Sequence, residues 1–154
     1  FDQRLGPELR RLWFFHLLSA PNFLARQLAV GCGAIEQSLF EAGFPMLRRV
    51  FAVEMGVHEA GAAEAMPRVL ACLDRLEAEI GPDGYLVGNQ FSLADLTAAA
   101  LWSPIALPVE FPYALLKDLP PDARALREEL VARPGLRWVA EFYRRHRGRS
   151  CEVA

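Results

Sequence analysis

Residues 85–103 read YLVGNQFSLADLTAAALWS, and the fold of the chain is organised around them. Ser92 is a favourable N-cap, because its hydroxyl can accept a hydrogen bond from a backbone N–H of a first helical turn. Asp95 follows three residues later, where its carboxylate can reach back to the backbone N–H of Ser92. Phe91 and Leu96 occupy the two positions of a hydrophobic staple. The sequence therefore predicts that a helix begins directly after Ser92.

The predicted helix continues as LTAAALW over residues 96–102, with small or apolar residues and no charge. A helix without a polar face is normally buried, so we expect it to lie at the centre of the domain. Asp95 is the conspicuous carboxylate in this apolar neighbourhood, where a general base could be imagined. Its spacing from Ser92 and its place at the positive end of the helix dipole favour a capping role instead.

The composition is that of one globular domain, with 154 residues, 53% hydrophobic and 23% charged. A chain of this size can bury roughly 70% of its unfolded surface. The net charge of −2 argues against a general nucleic-acid binder, which needs a basic surface. The longest uncharged runs, residues 12–25 and 96–109, are shorter than the ~20 residues of a membrane span. We therefore expect neither nucleic acid nor a membrane as a partner.

Cysteine and histidine usage gives no sign of a metal site or of a disulfide framework. Cys32, Cys72 and Cys151 are far apart and odd in number, which favours a reducing compartment. Cys72 lies among leucines and is predicted to be a small core residue. The histidines lack metal-ligand spacing, and there is no nucleophile elbow, phosphate loop or dinucleotide fingerprint. We expect no metal and no catalytic residue in this chain.

Apolar residues recur at helical intervals along most of the chain, and no stretch alternates as a strand does. The first helix is expected to begin with Pro7 in its first turn and to be apolar on nearly every side from Leu12. Gly43 and Pro45 are expected to interrupt the helical pattern, and Pro104 to open an irregular proline-rich segment. Other expected helices cover residues 22–30, 59–80, 121–132 and the segment around 136–143. The prediction is an all-α fold of roughly six to eight helices.

Residues 85–95, YLVGNQFSLAD, closely resemble the segment that opens the buried central helix in the C-terminal domain of cytosolic glutathione S-transferases. The helix over residues 70–80 and the segment RPGLRW at residues 133–138 are also similar to that family. The resemblance is close over residues 69–146 and looser over residues 1–57. It implies that residues 1–154 form a glutathione S-transferase C-terminal-like helical bundle in a cytoplasmic protein.

Enzymes of this family place a thioredoxin-like domain before the helical one, and that domain holds the glutathione site. Its thiolate-stabilising residue and cis-proline loop have no match here, and the chain begins at Phe1 in the approach to a helix. We therefore expect this chain to be a piece of a longer protein whose N-terminal thioredoxin-like domain is a separate partner. The resemblance implies no cofactor on this chain, glutathione as cosubstrate of the parent protein, and an inactive isolated domain.

The helical domain of the family supplies most of the hydrophobic pocket for the second substrate and part of a homodimer interface. The resemblance thus implies an apolar electrophile as the small-molecule partner. We nominate Trp13 and His16 on the first helix and Trp102 on the central helix as substrate-binding residues, although no family motif covers these positions. His16 lies among aromatic residues and is predicted to be in the core or to line the pocket.

A second hypothesis is a non-catalytic interaction module, because the same helical domain mediates assembly in translation factors and aminoacyl-tRNA synthetase complexes. The sequence before Phe1 would discriminate between the two, since an enzyme needs its catalytic residue and cis-proline there. A helical repressor fits less well, because the chain does not start with a helix-turn-helix.

Overall fold

The computed structural model describes residues 2–29, 31–111 and 119–147, and these form seven α-helices and no strand. The predicted all-α fold of six to eight helices is confirmed in this part of the chain. Cys151 and the predicted helix end at Val30 lie outside the described residues. The helices are α1 (Asp2–Leu17), α2 (Pro21–Leu28), α3 (Ala34–Glu54), α4 (Glu59–Glu79), α5 (Leu93–Ala106), α6 (Pro121–Val131) and α7 (Pro134–His146).

Helix α5 lies at the centre of the bundle, in contact with α1, α6 and α7. Trp102 and Ile105 are fully buried, and seven of its 14 residues are buried in all. Helix α4 packs on α1 and α7 and carries its buried side chains at helical spacing. These are Ala62, Ala65, Val69, Leu73 and Leu76. The chain thus surrounds its least polar helix with amphipathic ones, as the sequence predicts.

Prolines inside helices correct three of the predicted boundaries. Helix α1 begins at Asp2, so Pro7 lies beyond its first turn. Helix α3 is continuous through Gly43 and Pro45, and α5 includes Pro104. An interior proline removes one backbone hydrogen bond at a cost of about 3 kcal/mol, which buried neighbours can offset. Phe44 is such a neighbour in α3, as is Ile105 in α5.

Helix α3 has apolar residues on two opposite faces. Its inner face contributes Phe44, which is 1% exposed, and packs chiefly on α2. The other face is open to solvent, with exposed fractions between 69% and 80% at the four positions named next. We call Ile35, Leu39, Met46 and Val53 the outer face of α3. Their intervals of four and seven residues keep them on one side of the 21-residue helix.

Glu77 of α4 fixes the N-terminus of α7. Its carboxylate accepts hydrogen bonds from the Gly135 N–H at 3.0 Å and from the Arg133 guanidinium at 3.2 and 2.6 Å. The bonds from Arg133 hold the pKa of Glu77 below its usual value despite partial burial. A Cβ on Gly135 would lie 2.7 Å from Leu73 Cδ1, so a larger residue here would force the buried Leu73 side chain to move. The RPGLRW segment therefore acts as a helix-docking element.

Candidate functional site

A groove of about 530 Å³ runs between α1, α4 and α6. We call it the α1/α4/α6 groove. Its floor is apolar, and carboxylates stand among its lining residues. The lining consists of Leu12, Phe15 and His16 from α1, Glu59, Ala62, Ala63 and Met66 from α4, and Asp122, Ala125, Leu126 and Glu129 from α6. This volume is within the range of small-molecule sites.

The groove exists because α1 is apolar on more sides than α4 and α5 can cover. Leu12 is almost fully buried against the core, whereas Phe15 and His16 are half-buried further along the helix. The Phe15 ring meets the His16 ring edge-on, with centroids 5.3 Å apart and planes at 77°. The last turn of α1 is held by the Ser19 hydroxyl, which donates to the His16 carbonyl at 2.6 Å. His16 is therefore presented from an ordered helix end.

His16 is the basic group of the groove. Burial lowers its pKa below the usual 6.5, while the nearby Asp122 carboxylate acts in the opposite sense. The imidazole is thus neutral at pH 7, and one ring nitrogen can donate while the other accepts. The groove can bind an apolar body and offer it one neutral hydrogen-bonding group.

The three nominated substrate-binding residues do not come together. His16 lines the groove, but Trp13 is 7% exposed and Trp102 is fully buried, both within the core cluster. The indole N–H of Trp102 has no acceptor in the described part of the chain. Of the three residues, only His16 lines the α1/α4/α6 groove. The substrate-binding role of the two tryptophans stays a prediction.

The structure contains the capping box at the start of α5. The fully buried Asp95 carboxylate accepts from the Ser92 N–H at 2.8 Å and from the Ser92 hydroxyl, while the Ser92 Oγ accepts from the Asp95 N–H. Its other oxygen accepts from the Leu86 N–H at 2.7 Å. That bond ties the preceding loop to the helix. Every described contact of this carboxylate is to donors of its own neighbourhood, which is the arrangement of a structural cap.

The staple residues lie on a second, smaller groove beside α7. Phe91 and Leu96 are each about half exposed and line it together with Phe142, Tyr143 and His146. The Phe91 ring stacks on Phe142 with centroids 5.4 Å apart and planes at 22°. The Phe91 ring thus packs the segment before α5 against α7, and the role of Phe91 and Leu96 as a staple stays a prediction.

The described residues hold no group of three or more histidine, cysteine, aspartate and glutamate side chains that could bind a metal ion. Cys32 is exposed and Cys72 is partly buried against the core, and both are free thiols. Neither thiol lines the α1/α4/α6 groove. None of the described helices combines the length and hydropathy needed to cross a membrane.

Sequence reasoning missed the α4 and α6 sides of the groove. Met66 lies on the apolar stripe of α4, and such a stripe by itself indicates the core rather than a groove. Glu59, Asp122 and Glu129 are ordinary helix-surface carboxylates when read one at a time. Only the packing of α6 across α1 and α4 brings them to one opening, and no local signal encodes that packing.

A model of the family described as the glutathione S-transferase C-terminal domain matches residues 36–134. The match includes most of α3 and all of α4, α5 and α6, and the capping box lies within it. No curated protein and no solved structure matches the chain significantly. The family match spans well over half of the chain and agrees with the all-helical fold around α5. The chain therefore belongs to the glutathione S-transferase C-terminal domain family.

Proposed function

We propose that this chain is the substrate-binding half of a two-domain, glutathione-dependent transferase and that the α1/α4/α6 groove receives an apolar electrophile. The groove carries the proposal, because it combines about 530 Å³ of space with an apolar floor. His16, nominated from the sequence, lines it. Binding in such a groove orients a small molecule for attack from outside the domain.

In this proposal the nucleophile comes from a thioredoxin-like domain that binds glutathione and stabilises its thiolate. The helical chain supplies binding and orientation alone. We expect the isolated chain to have no glutathione-conjugating activity and no tight affinity for glutathione. Calorimetry that detected micromolar glutathione binding would contradict this division of labour.

The groove can be tested with Nile red, a neutral apolar dye that fluoresces when it leaves water. We expect the wild-type chain to enhance its fluorescence in a saturable way. Ala63 is exposed on α4 and lines the groove, so Ala63→Trp should fill the site and abolish the enhancement. Ala78→Trp, at an exposed position of the same helix outside the groove, is the matched control. Equal binding by both variants would overturn the assignment of the groove.

We propose further that the outer face of α3 meets a second copy of the chain. Its four apolar side chains are between 69% and 80% exposed, on a helix roughly 30 Å long. Exposed apolar surface of this extent is typical of an interaction site. In an antiparallel pair of α3 helices centred near Met46 the stripe meets itself. Burying one stripe against its copy removes both from water.

Analytical ultracentrifugation tests this interface. The wild-type chain should sediment as a dimer, and Leu39→Glu combined with Met46→Glu should give a folded monomer with the helical content of the wild type by circular dichroism. Ala71→Glu combined with Ala78→Glu adds the same charge at exposed positions of α4 and should remain dimeric. A wild-type monomer would favour the second candidate function, a non-catalytic assembly module whose α3 face binds a different protein.

A further inference from the structure

Among the residues that the structure describes, the carboxylates of the α1/α4/α6 groove have no cationic partner. Glu59, Asp122 and Glu129 all line it, and none of the three forms an ion pair within the described ranges. Among the described lining residues there is no lysine or arginine. His16, the basic group present, has a lowered pKa and is neutral at pH 7. The opening therefore carries a charge of about −3 at neutral pH.

Helix dipoles account for part of this charge but not for all of it. Glu59 and Asp122 lie in the first turns of α4 and α6, where a carboxylate interacts favourably with the helix N-terminus. Glu129 lies two residues before the end of α6, where the dipole disfavours a negative charge. Its charge serves neither a cap nor an ion pair in the described structure. A positively charged ligand would complement it.

The floor between these carboxylates favours binding of the apolar part of a ligand. Leu12, Met66 and Leu126 supply aliphatic and thioether surface, and Phe15 adds an aromatic ring. A cation above an aromatic face gains electrostatic attraction, and a bulky organic cation loses less hydration than a small one. Shape and charge thus point to the same kind of occupant.

We propose that the α1/α4/α6 groove binds apolar cations, meaning aromatic or alkyl bodies that carry an ammonium or phosphonium group, in preference to anions of the same shape. This inference rests on the proposed function, because it names the substrate class of the same groove. It also predicts that anionic glutathione does not occupy the groove. The acidic opening would then separate the two substrates of the parent enzyme by charge.

Tetraphenylphosphonium and tetraphenylborate form a matched test pair, because they share size and shape and differ in the sign of the charge. By equilibrium dialysis at low ionic strength, we expect the chain to bind the phosphonium at least ten times more tightly. The preference should shrink in 0.5 M salt, since exposed charges are screened. Ala63→Trp should abolish binding of the phosphonium.

Two double variants of equal net charge test which residues cause the charge preference. Asp122→Asn with Glu129→Gln should reduce the preference at least threefold. Glu54→Gln with Asp83→Asn, at exposed positions outside the groove, should leave it unchanged. Both variants should remain folded, and the Glu54→Gln/Asp83→Asn control should also keep the wild-type Nile red response.

The outcomes separate this inference from the proposed function. Equal binding of the two ions, or tighter binding of the borate, overturns the charge preference; if Nile red still responds to Ala63→Trp, the groove itself stands. Failure of both ions and of Nile red to bind overturns both proposals. Phosphonium binding that survives Ala63→Trp lies elsewhere on the chain and also overturns the inference.

Discussion

Asp95 and Asp122 both stand in the first turn of a helix, yet the structure gives them different surroundings. Asp95 is fully buried at the start of α5 and accepts hydrogen bonds from the Leu86 N–H, the Ser92 N–H and the Ser92 hydroxyl. Asp122 is exposed at the start of α6, lines the α1/α4/α6 groove and acts on His16 through its charge. The same local position can thus hold a structural carboxylate or a site carboxylate. Burial and the number of donors distinguish the two.

The largest difference is expected in stability. Asp95→Ala leaves two backbone N–H groups without their acceptor, so we expect a loss of about 3 kcal/mol in the free energy of unfolding. Asp122→Ala removes only a favourable dipole interaction and should cost about 0.5 kcal/mol. Urea denaturation of both variants measures the contrast. Similar midpoints for the two would erase the distinction between the carboxylates.

Ser92→Ala tests whether the cap works as a unit with Asp95. Its hydroxyl both donates to the Asp95 carboxylate and accepts from the Asp95 N–H, so we expect a loss of about 1 kcal/mol. In the double variant with Asp95→Ala, the loss of stability should be smaller than the sum of the two single losses, because the two groups share one network. Ser38→Ala on the exposed surface of α3 is the control and should change stability by less than about 0.5 kcal/mol. Full additivity would argue against a shared network.

The capping box was predictable because it is encoded by four consecutive residues, Ser92 to Asp95. The bond from the Leu86 N–H to Asp95 was not, because it depends on the path of the loop between them. For His16 the sequence left two environments open, the core or the lining of a pocket, and the structure places it in the lining of the groove. Periodicity could not assign Trp13 to the core or to a pocket, because α1 is apolar on nearly every side. The helices that pack on α1 decide which side is covered. The predicted interruption at Gly43 and Pro45 was wrong, because burial of Phe44 within α3 outweighs the local preference of these two residues.

Glu77 provides an intermediate case, a carboxylate that holds the N-terminus of a helix from a neighbouring one. Its pKa is lowered chiefly by hydrogen bonds from Arg133. The stabilisation is therefore fully present above the ordinary value of 4.5 and is lost as the pH falls through the lower folded value. Glu77→Gln should cost about 1 kcal/mol at pH 7 and flatten the acid side of the stability profile. Urea midpoints at pH 7 and pH 3.5 measure this, and an equally steep acid loss in the variant would count against the bridge.

The smallest effect is the one that connects Asp122 to the groove. Burial lowers the pKa of His16, and the Asp122 charge offsets part of this effect by raising it. Asp122→Asn should therefore shift the His16 titration to still lower pH. Because the folded pKa lies below 6.5, the unfolded chain binds the proton more readily, and stability falls as the pH drops below 6.5 towards the folded value. Asp122→Asn should extend that loss to lower pH while changing stability at pH 7 by less than about 0.5 kcal/mol.

NMR titration of the His16 ring proton measures this shift directly, with Glu54→Gln as a control of equal charge change outside the groove. Tetraphenylphosphonium affinity should fall over the same pH range, because protonated His16 adds a positive charge opposite Glu59, Asp122 and Glu129. His16→Asn should remove that part of the pH dependence. If the His16 titration is the same in wild type and Asp122→Asn, the Asp122 charge does not reach the groove. Asp122 would then be a surface carboxylate at a helix start, and its contrast with Asp95 would be one of burial alone.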